Sequence, residues 1–272
     1  MNRLQQLYCR FRYVLEKEMR KRYPRMQDTL HIPAPNTTRM IAHRGVSGLE
    51  TENTIAAFIA AGKRSYYGIE TDVHRTKDGQ FVVFHDDDLK RMANKNLVVE
   101  QTDFEVLRTL KLLETRFYKP QKGIPSAHII PTLLEYIEIC KQYDKTAVLE
   151  LKNHFEKQDI FRICEQIKTA GWLDRTTFIS FDFDNLTYIR EYCPTQTVQF
   201  LTGEIQDTNG LLDKLEAHRF DWDAYHRTVN KQLVDECHQR GIRVNVWTVD
   251  ELPDAQKLIE YGVDYITSDI LE

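Results

Sequence analysis

Residues 68–86 read Gly68-Ile69-Glu70-Thr71-Asp72-Val73-His74-Arg75-Thr76-Lys77-Asp78-Gly79-Gln80-Phe81-Val82-Val83-Phe84-His85-Asp86. Two apolar runs flank the turn signal Lys77-Asp78-Gly79-Gln80. A connection this short joins only antiparallel strands, because parallel neighbours need a crossover of a dozen or more residues. A turn centred between Asp78 and Gly79 sets Asp72 opposite His85. Side chains alternate along a strand, so Glu70 and Asp72 share a face while Thr71 points away. Two carboxylates on one face repel unless a cation or proton lies between them. All-oxygen sites of this kind suit hard divalent cations, and Mg2+ takes few protein carboxylates, completing its shell with water and substrate phosphate.

Upstream, the same stretch begins at Met40-Ile41-Ala42-His43-Arg44-Gly45, and Glu52-Asn53-Thr54 opens a helical pattern over Thr54–Arg64. Counting the hairpin, nine strand-like runs are predicted: Met40–His43, Gly68–Val73, Gln80–His85, Thr146–Lys152, Thr176–Phe181, Thr197–Leu201, Trp222–Tyr225, Arg243–Val249 and Asp264–Thr267. Helical patterns over Leu133–Gln142, Asp159–Ala170, Asn185–Tyr192, Leu211–Ala217, Lys231–Arg240 and Pro253–Tyr261 separate the later runs. Because Gln80–His85 follows its predecessor without a helix, it is no parallel neighbour. Eight runs remain, which is the count of an α/β protein closed as a (β/α)8 TIM barrel.

The region from Asp86 to Pro131 is too long for an ordinary loop. It reads as a small insertion after the second-strand hairpin, over the barrel mouth, with Phe104–Leu113 helical and Tyr118–His128 irregular. Ahead of the barrel, Leu4, Leu7, Phe11, Val14 and Leu15 recur at helical spacing among eight basic residues, giving a basic amphipathic leader over 1–25 that Pro24 interrupts. The expected division is a leader and linker over 1–38 and a barrel domain over 39–272. An apolar stripe on an ordered leader needs a cover, which the barrel, a second copy in a homodimer, or a membrane surface in peripheral contact could provide.

At 272 residues and a formal charge of -4, the chain can bury a full core and carries no general nucleic-acid signature. It has neither the apolar length of a membrane-spanning helix nor the pattern of a secretory signal, so a cytoplasmic location is expected. Five scattered cysteines without Cys-x-x-Cys spacing disfavour zinc and a disulfide framework.

The candidate chemistry gathers at the ends of strand runs. Glu150 and Lys152 flank Leu151 and so face one way; Glu150 is taken as the third metal ligand beside Glu70 and Asp72, and Lys152 as a phosphate contact. Arg44 has the planar fork for a phosphate. His43 and His85 are the acid–base pair, since imidazole titrates near neutral pH, and the sequence leaves open which is acid and which base. Trp247 ends the seventh barrel strand as an apolar wall for substrate carbons. The histidines at 31, 74, 128, 154, 218 and 238 are expected in loops or on helices without metal spacing.

His-Arg-Gly at 43–45, Glu-Asn-Thr at 52–54, Glu-x-Asp at 70–72 and Asp-Gly-x-x-Val-x-x-His-Asp at 78–86 resemble the signature of the glycerophosphodiester phosphodiesterases. The likeness extends through Leu149-Glu150-Leu151-Lys152 and Val246-Trp247-Thr248-Val249 to Tyr265-Ile266-Thr267-Ser268-Asp269. It departs at Thr51, where that family usually has proline, and at Ser268, where the family often has threonine before the aspartate. The resemblance implies a TIM barrel with an insertion, one divalent cation (Mg2+ or Ca2+), and hydrolysis of a small-molecule phosphodiester to glycerol 3-phosphate and an alcohol. It further implies that a glycerol hydroxyl attacks first, giving a cyclic phosphate that water opens, and that His226 stands outside catalysis. Two rivals are a phospholipase-type barrel acting on lysophospholipids or sphingophospholipids and an inactive phosphate-binding scaffold; the full set of candidate groups speaks against the second.

Overall fold

The computed structural model describes residues 28–33, 37–113, 128–204 and 207–272. The leader helix expected over 1–25 lies outside the described residues, as does most of the stretch expected to be irregular before His128.

Strands β1 (Arg39–Ala42), β2 (Gly68–Arg75), β4 (Thr146–Leu151), β5 (Thr176–Ser180), β6 (Thr197–Thr202), β7 (Asp221–Tyr225), β8 (Val244–Trp247) and β9 (Tyr265–Ser268) pair in parallel, and the β1–β2 pairing closes the ring. Strand β3 (Phe81–Val83) hangs antiparallel on β2, as the hairpin requires. The helices follow the expected order: α1 (Ile55–Gly62), α2 (Lys90–Ala93) and α3 (Phe104–Arg108) in the insertion, then α4 (Leu133–Gln142), α5 (Lys157–Thr169), α6 (Phe183–Tyr192), α7 (Thr208–His218), α8 (Lys231–Gln239) and α9 (Leu252–Tyr261). The Phe104–Leu113 pattern is helical only as far as Arg108. The insertion keeps a small core of its own from Val82, Phe84, Leu89, Met92, Val99, Leu107, Leu112 and Ile130.

Local chemistry explains how the first strand is joined to the first helix. Thr54 caps α1 by accepting a bond from the Ala57 amide, an ordinary N-cap. Gly45 has φ +75°, and a Cβ there would meet the Ala57 backbone at 2.6 Å, so only glycine lets the segment after β1 lie against the helix. Arg44 and Asn53, with φ of +54° and +53°, take the left-handed conformation without glycine's freedom. Such strain persists where surrounding contacts hold it, and both residues are buried among carboxylates.

The hairpin register differs from the expected one by a single residue. Val73 pairs with Val83 and His74 with Val82, so Asp72 faces Phe84, whose amide donates to the Asp72 carbonyl. The turn is a three-residue loop, Lys77-Asp78-Gly79, between Thr76 and Gln80, with Gly79 at φ +81°. This is the second common way to close a hairpin with glycine, and it moves the centre by half a residue. His74, expected in a loop or helix, lies on β2 and is buried, its Nδ1 2.9 Å from Glu100 Oε1 in the insertion.

The strand registers sort the inward residues into layers of four drawn from alternate strands. From below upward these are Ile41, Val148, Gln199 and Asn245; then Glu70, Ile179, Asp223 and Thr267; then His43, Glu150, Leu201 and Trp247; and at the mouth Asp72, Phe181, Tyr225 and Asp269. The interior is not uniformly apolar: Asn245 donates to Gln199 Oε1 at 3.2 Å and accepts from Thr267 at 3.3 Å.

Candidate active site

The upper layers bring the predicted residues together at the C-terminal ends of β1, β2, β4 and β9. Glu70, Asp72 and Glu150 are buried, and one ligand oxygen from each lies within 4.8 Å of the others. Their orientations are fixed by neighbours. Glu70 Oε2 accepts from the Arg44 amide at 2.8 Å, and Asn53 Nδ2 donates to Asp72 Oδ2 at 2.7 Å while its own Oδ1 accepts from Thr71. The motif Glu-Asn-Thr therefore contributes a cap through Thr54 and a clamp on Asp72 through Asn53.

Three buried carboxylates gathered this closely could hold a cation. Burial, then the charges of Asp72 and Glu150, push Glu70 well above the usual carboxylate range, and burial also raises Glu150. Burial works against Asp72 as well, but Lys152, His85 and Arg44 outweigh it and hold that carboxyl below its usual range. Asp72 Oδ1 is buried and, beyond the Lys152 ammonium at 3.4 Å, has no hydrogen-bond partner among the described residues, which leaves it able to take a further ligand. The donor set, three converging carboxylates, fits a hard divalent cation. The Lys152 ammonium lies between two of the three, 2.8 Å from Glu150 Oε1 and 3.4 Å from Asp72 Oδ1. The Arg44 guanidinium lies beside Asp72, Nε to Oδ2 3.6 Å, and donates to Glu52 Oε1 at 2.8 Å.

Each predicted histidine is backed by a carboxylate. His43 Nδ1 is 2.5 Å from Asp269 Oδ1, which also accepts from Ser47, and His43 Nε2 lies 4.0 Å from Glu70. His85 Nδ1 is 2.7 Å from Asp86 Oδ1. Carboxylates at Nδ1 fix the tautomer and leave Nε2 for the chemistry. Sequence reasoning named neither partner: Asp86 is signalled only by adjacency, and Asp269 is 226 residues from His43. Although the register is shifted, the chain leaves the ladder after Val83, and His85 lies against Asp86, which Arg91 ties to Glu52 and so to Arg44 beside Asp72.

The opposite half of the mouth is aromatic. Trp247 is buried, its Nε1 donates to the Asp223 carbonyl at 3.2 Å, and Phe181 stands edge-on to it at 5.7 Å with Tyr225 at 5.8 Å. Phe181 is exposed, so the wall continues to the surface. His226 is engaged with the Trp247 carbonyl at 3.2 Å. His154, read as lacking metal spacing, is gathered in space with Asp182 and Asp184, but this trio is solvent-facing and Asp182 already caps α6.

A model of the glycerophosphoryl diester phosphodiesterase family matches residues 43–272. The chain is 31% identical to a glycerophosphodiester phosphodiesterase of Caldanaerobacter subterraneus subsp. tengcongensis over 85% of this chain and 94% of that one. It is 28% identical to one of Bacillus altitudinis, over 85% and 94%. Among solved structures, an Oleispira antarctica phosphodiesterase in complex with the product sn-glycerol-3-phosphate superposes with a TM-score of 0.75 at 26% identity, covering 88% of this chain and 93% of that one.

Proposed function

Because this chain belongs to the glycerophosphoryl diester phosphodiesterase family, a phosphoric diester hydrolase family, we propose that it cleaves glycerophosphodiesters to glycerol 3-phosphate and an alcohol by divalent-cation-dependent His43/His85 acid–base chemistry. The observation that carries this reading is the meeting of Glu70, Asp72 and Glu150 with two carboxylate-backed histidines on the ends of neighbouring strands. Glu70, Asp72 and Glu150 would hold a divalent cation, Mg2+ or Ca2+, and that ion would supply neutralisation of the phosphate charge.

The chain's own residues supply the rest. Arg44 and Lys152, cationic groups already within the cluster, bind the phosphate. One histidine takes a proton from the attacking hydroxyl, of water or of the glycerol, and the other gives a proton to the departing alkoxide. Asp269 and Asp86 stabilise the imidazolium forms. Trp247, with Phe181 and Tyr225, packs the carbon skeleton and excludes water on that side.

The test is product analysis. Full-length protein with Mg2+ is offered glycerophosphocholine and, separately, lysophosphatidylcholine, and free glycerol 3-phosphate, choline and lysophosphatidate are measured. Glycerol 3-phosphate and choline release from the first at the higher kcat/KM is expected. Turnover of the second alone would replace this reading with the phospholipase one, and turnover of neither would leave a binding scaffold.

A further inference from the structure

We propose that Arg91, on α2 at the start of the insertion, is a positioning residue for the reaction: one guanidinium joins the backing of His85 to the support of Arg44. Its Nε and one terminal nitrogen donate to Asp86 at 2.7 and 3.0 Å, and its two terminal nitrogens donate to Glu52 at 2.7 Å each. Asp86 is the carboxylate on His85 Nδ1, and Glu52 is the acceptor of the Arg44 guanidinium. The contacts therefore run unbroken from His85 through Asp86, Arg91 and Glu52 to Arg44. The inference rests on the catalytic role of His85 proposed above.

Three features separate this arrangement from a surface ion pair. The planar fork engages two carboxylates bidentately, which a lysine cannot do. All three groups are largely shielded, with side-chain exposures of 26% for Arg91, 13% for Glu52 and 24% for Asp86. Burial pushes Asp86 and Glu52 upward, and Arg91, together with Arg44, brings both below the usual carboxylate range. Without Arg91, Asp86 would keep the imidazole but lose the contact that fixes its own rotamer, and α2 would lose its polar attachment to the segment before α1. Glu52 would retain Arg44. The expected defect is therefore in the proton transfer assigned to His85 more than in substrate binding.

The experiment is steady-state turnover of glycerophosphocholine by the full chain with saturating Mg2+, for Arg91→Ala, Arg91→Lys, His85→Ala and the Arg91→Ala/His85→Ala double variant. Arg91→Ala should lose about 10- to 100-fold in kcat, the usual size when a supporting partner of a site group is removed, with KM little changed. Added guanidinium should restore part of that loss and leave the wild type unaffected. The double variant should be no slower than His85→Ala, because both act through one step. An unchanged kcat in Arg91→Ala, or a loss that guanidinium does not restore and that multiplies with the His85→Ala loss, would overturn the inference. If Arg91→Ala does not fold, Arg91→Lys decides: lowered kcat at constant KM supports the inference and wild-type kcat overturns it. Near-wild-type turnover in His85→Ala would instead overturn the catalytic reading itself, whatever Arg91 does.

Discussion

The barrel mouth has two unlike halves. Strands β9, β1, β2 and β4, adjacent in the ring, end in Asp269, His43, Glu70, Asp72 and Glu150. Strands β5 to β8, also adjacent, end in Phe181, Leu201, Tyr225 and Trp247. The same closed sheet therefore presents a dense charge cluster on one side and an aromatic wall on the other. Burial stabilises the wall outright, but on the charged side it costs free energy unless cations compensate. On the proposed function the chemistry and the choice of substrate carbon skeleton fall to separate sets of strands, which makes the division testable by substitution.

The largest effect is expected on the charged half. Asp72→Ala, removing the carboxylate that Asn53 clamps, should lower kcat by about 10³-fold or more, since several kcal/mol of charge stabilisation is at stake. Calorimetric titration with Mg2+ or Ca2+ should show weakened binding in the same variant. His43→Ala and His85→Ala should each lose about 10² to 10⁴ in turnover, with the double variant far from additive. These losses should be alike for every head group; a loss confined to one substrate would break the division between the halves.

On the aromatic half, Phe181→Ala should leave the metal affinity unchanged and alter the ratio of kcat/KM between substrates by about tenfold, the scale of apolar discrimination in enzyme sites. Equal loss on glycerophosphocholine and on a smaller diester would show that the ring merely supports the fold.

The smallest effect concerns a carboxyl that belongs to neither half. Asp223 lies in the layer of Glu70, across the barrel, buried and with no hydrogen-bond partner for its Oδ1 among the described residues. Burial, and then the neighbouring charge of Glu150, push it well above the usual carboxylate range. Its folded form therefore binds a proton more tightly than its unfolded form, so its contribution to stability declines as pH rises above the ordinary aspartate range. Asp223→Asn should raise thermal stability at neutral pH by about 1–3 kcal/mol, with the gain shrinking as pH falls toward the ordinary aspartate pKa of about 3.9. Thermal melts across pH would check it, and a gain that persists unchanged in acid would contradict it.

How much of this was legible in the sequence follows the same division. The strand count, the hairpin and the carboxylates at strand ends follow from period-two alternation and one turn signal, all local in the chain. The hairpin register is not fixed by the local sequence, because a two-residue and a three-residue loop share the Asp78-Gly79 pair, and only the φ of Gly79 with the Thr76–Gln80 pairing distinguishes them. Asp269 behind His43 and Arg91 between Glu52 and Asp86 were not legible, since each joins residues far apart in the chain through side-chain geometry. Lys152 was read correctly as facing with Glu150, yet its place between two carboxylates depends on the β2–β4 register. Phe181 and Tyr225 escaped notice because an aromatic at a strand end looks the same whether it faces the core or the mouth.

On the proposed function, Glu70, Asp72 and Glu150 form a divalent-cation site, and turnover depends on it. The most direct test is glycerol 3-phosphate release by full-length protein stripped with chelator, then assayed with no metal, with Mg2+ and with Ca2+. Loss of turnover in the stripped protein, restored by one or both ions and not restored in Asp72→Ala, is the expected result. Full turnover in metal-free protein would contradict it.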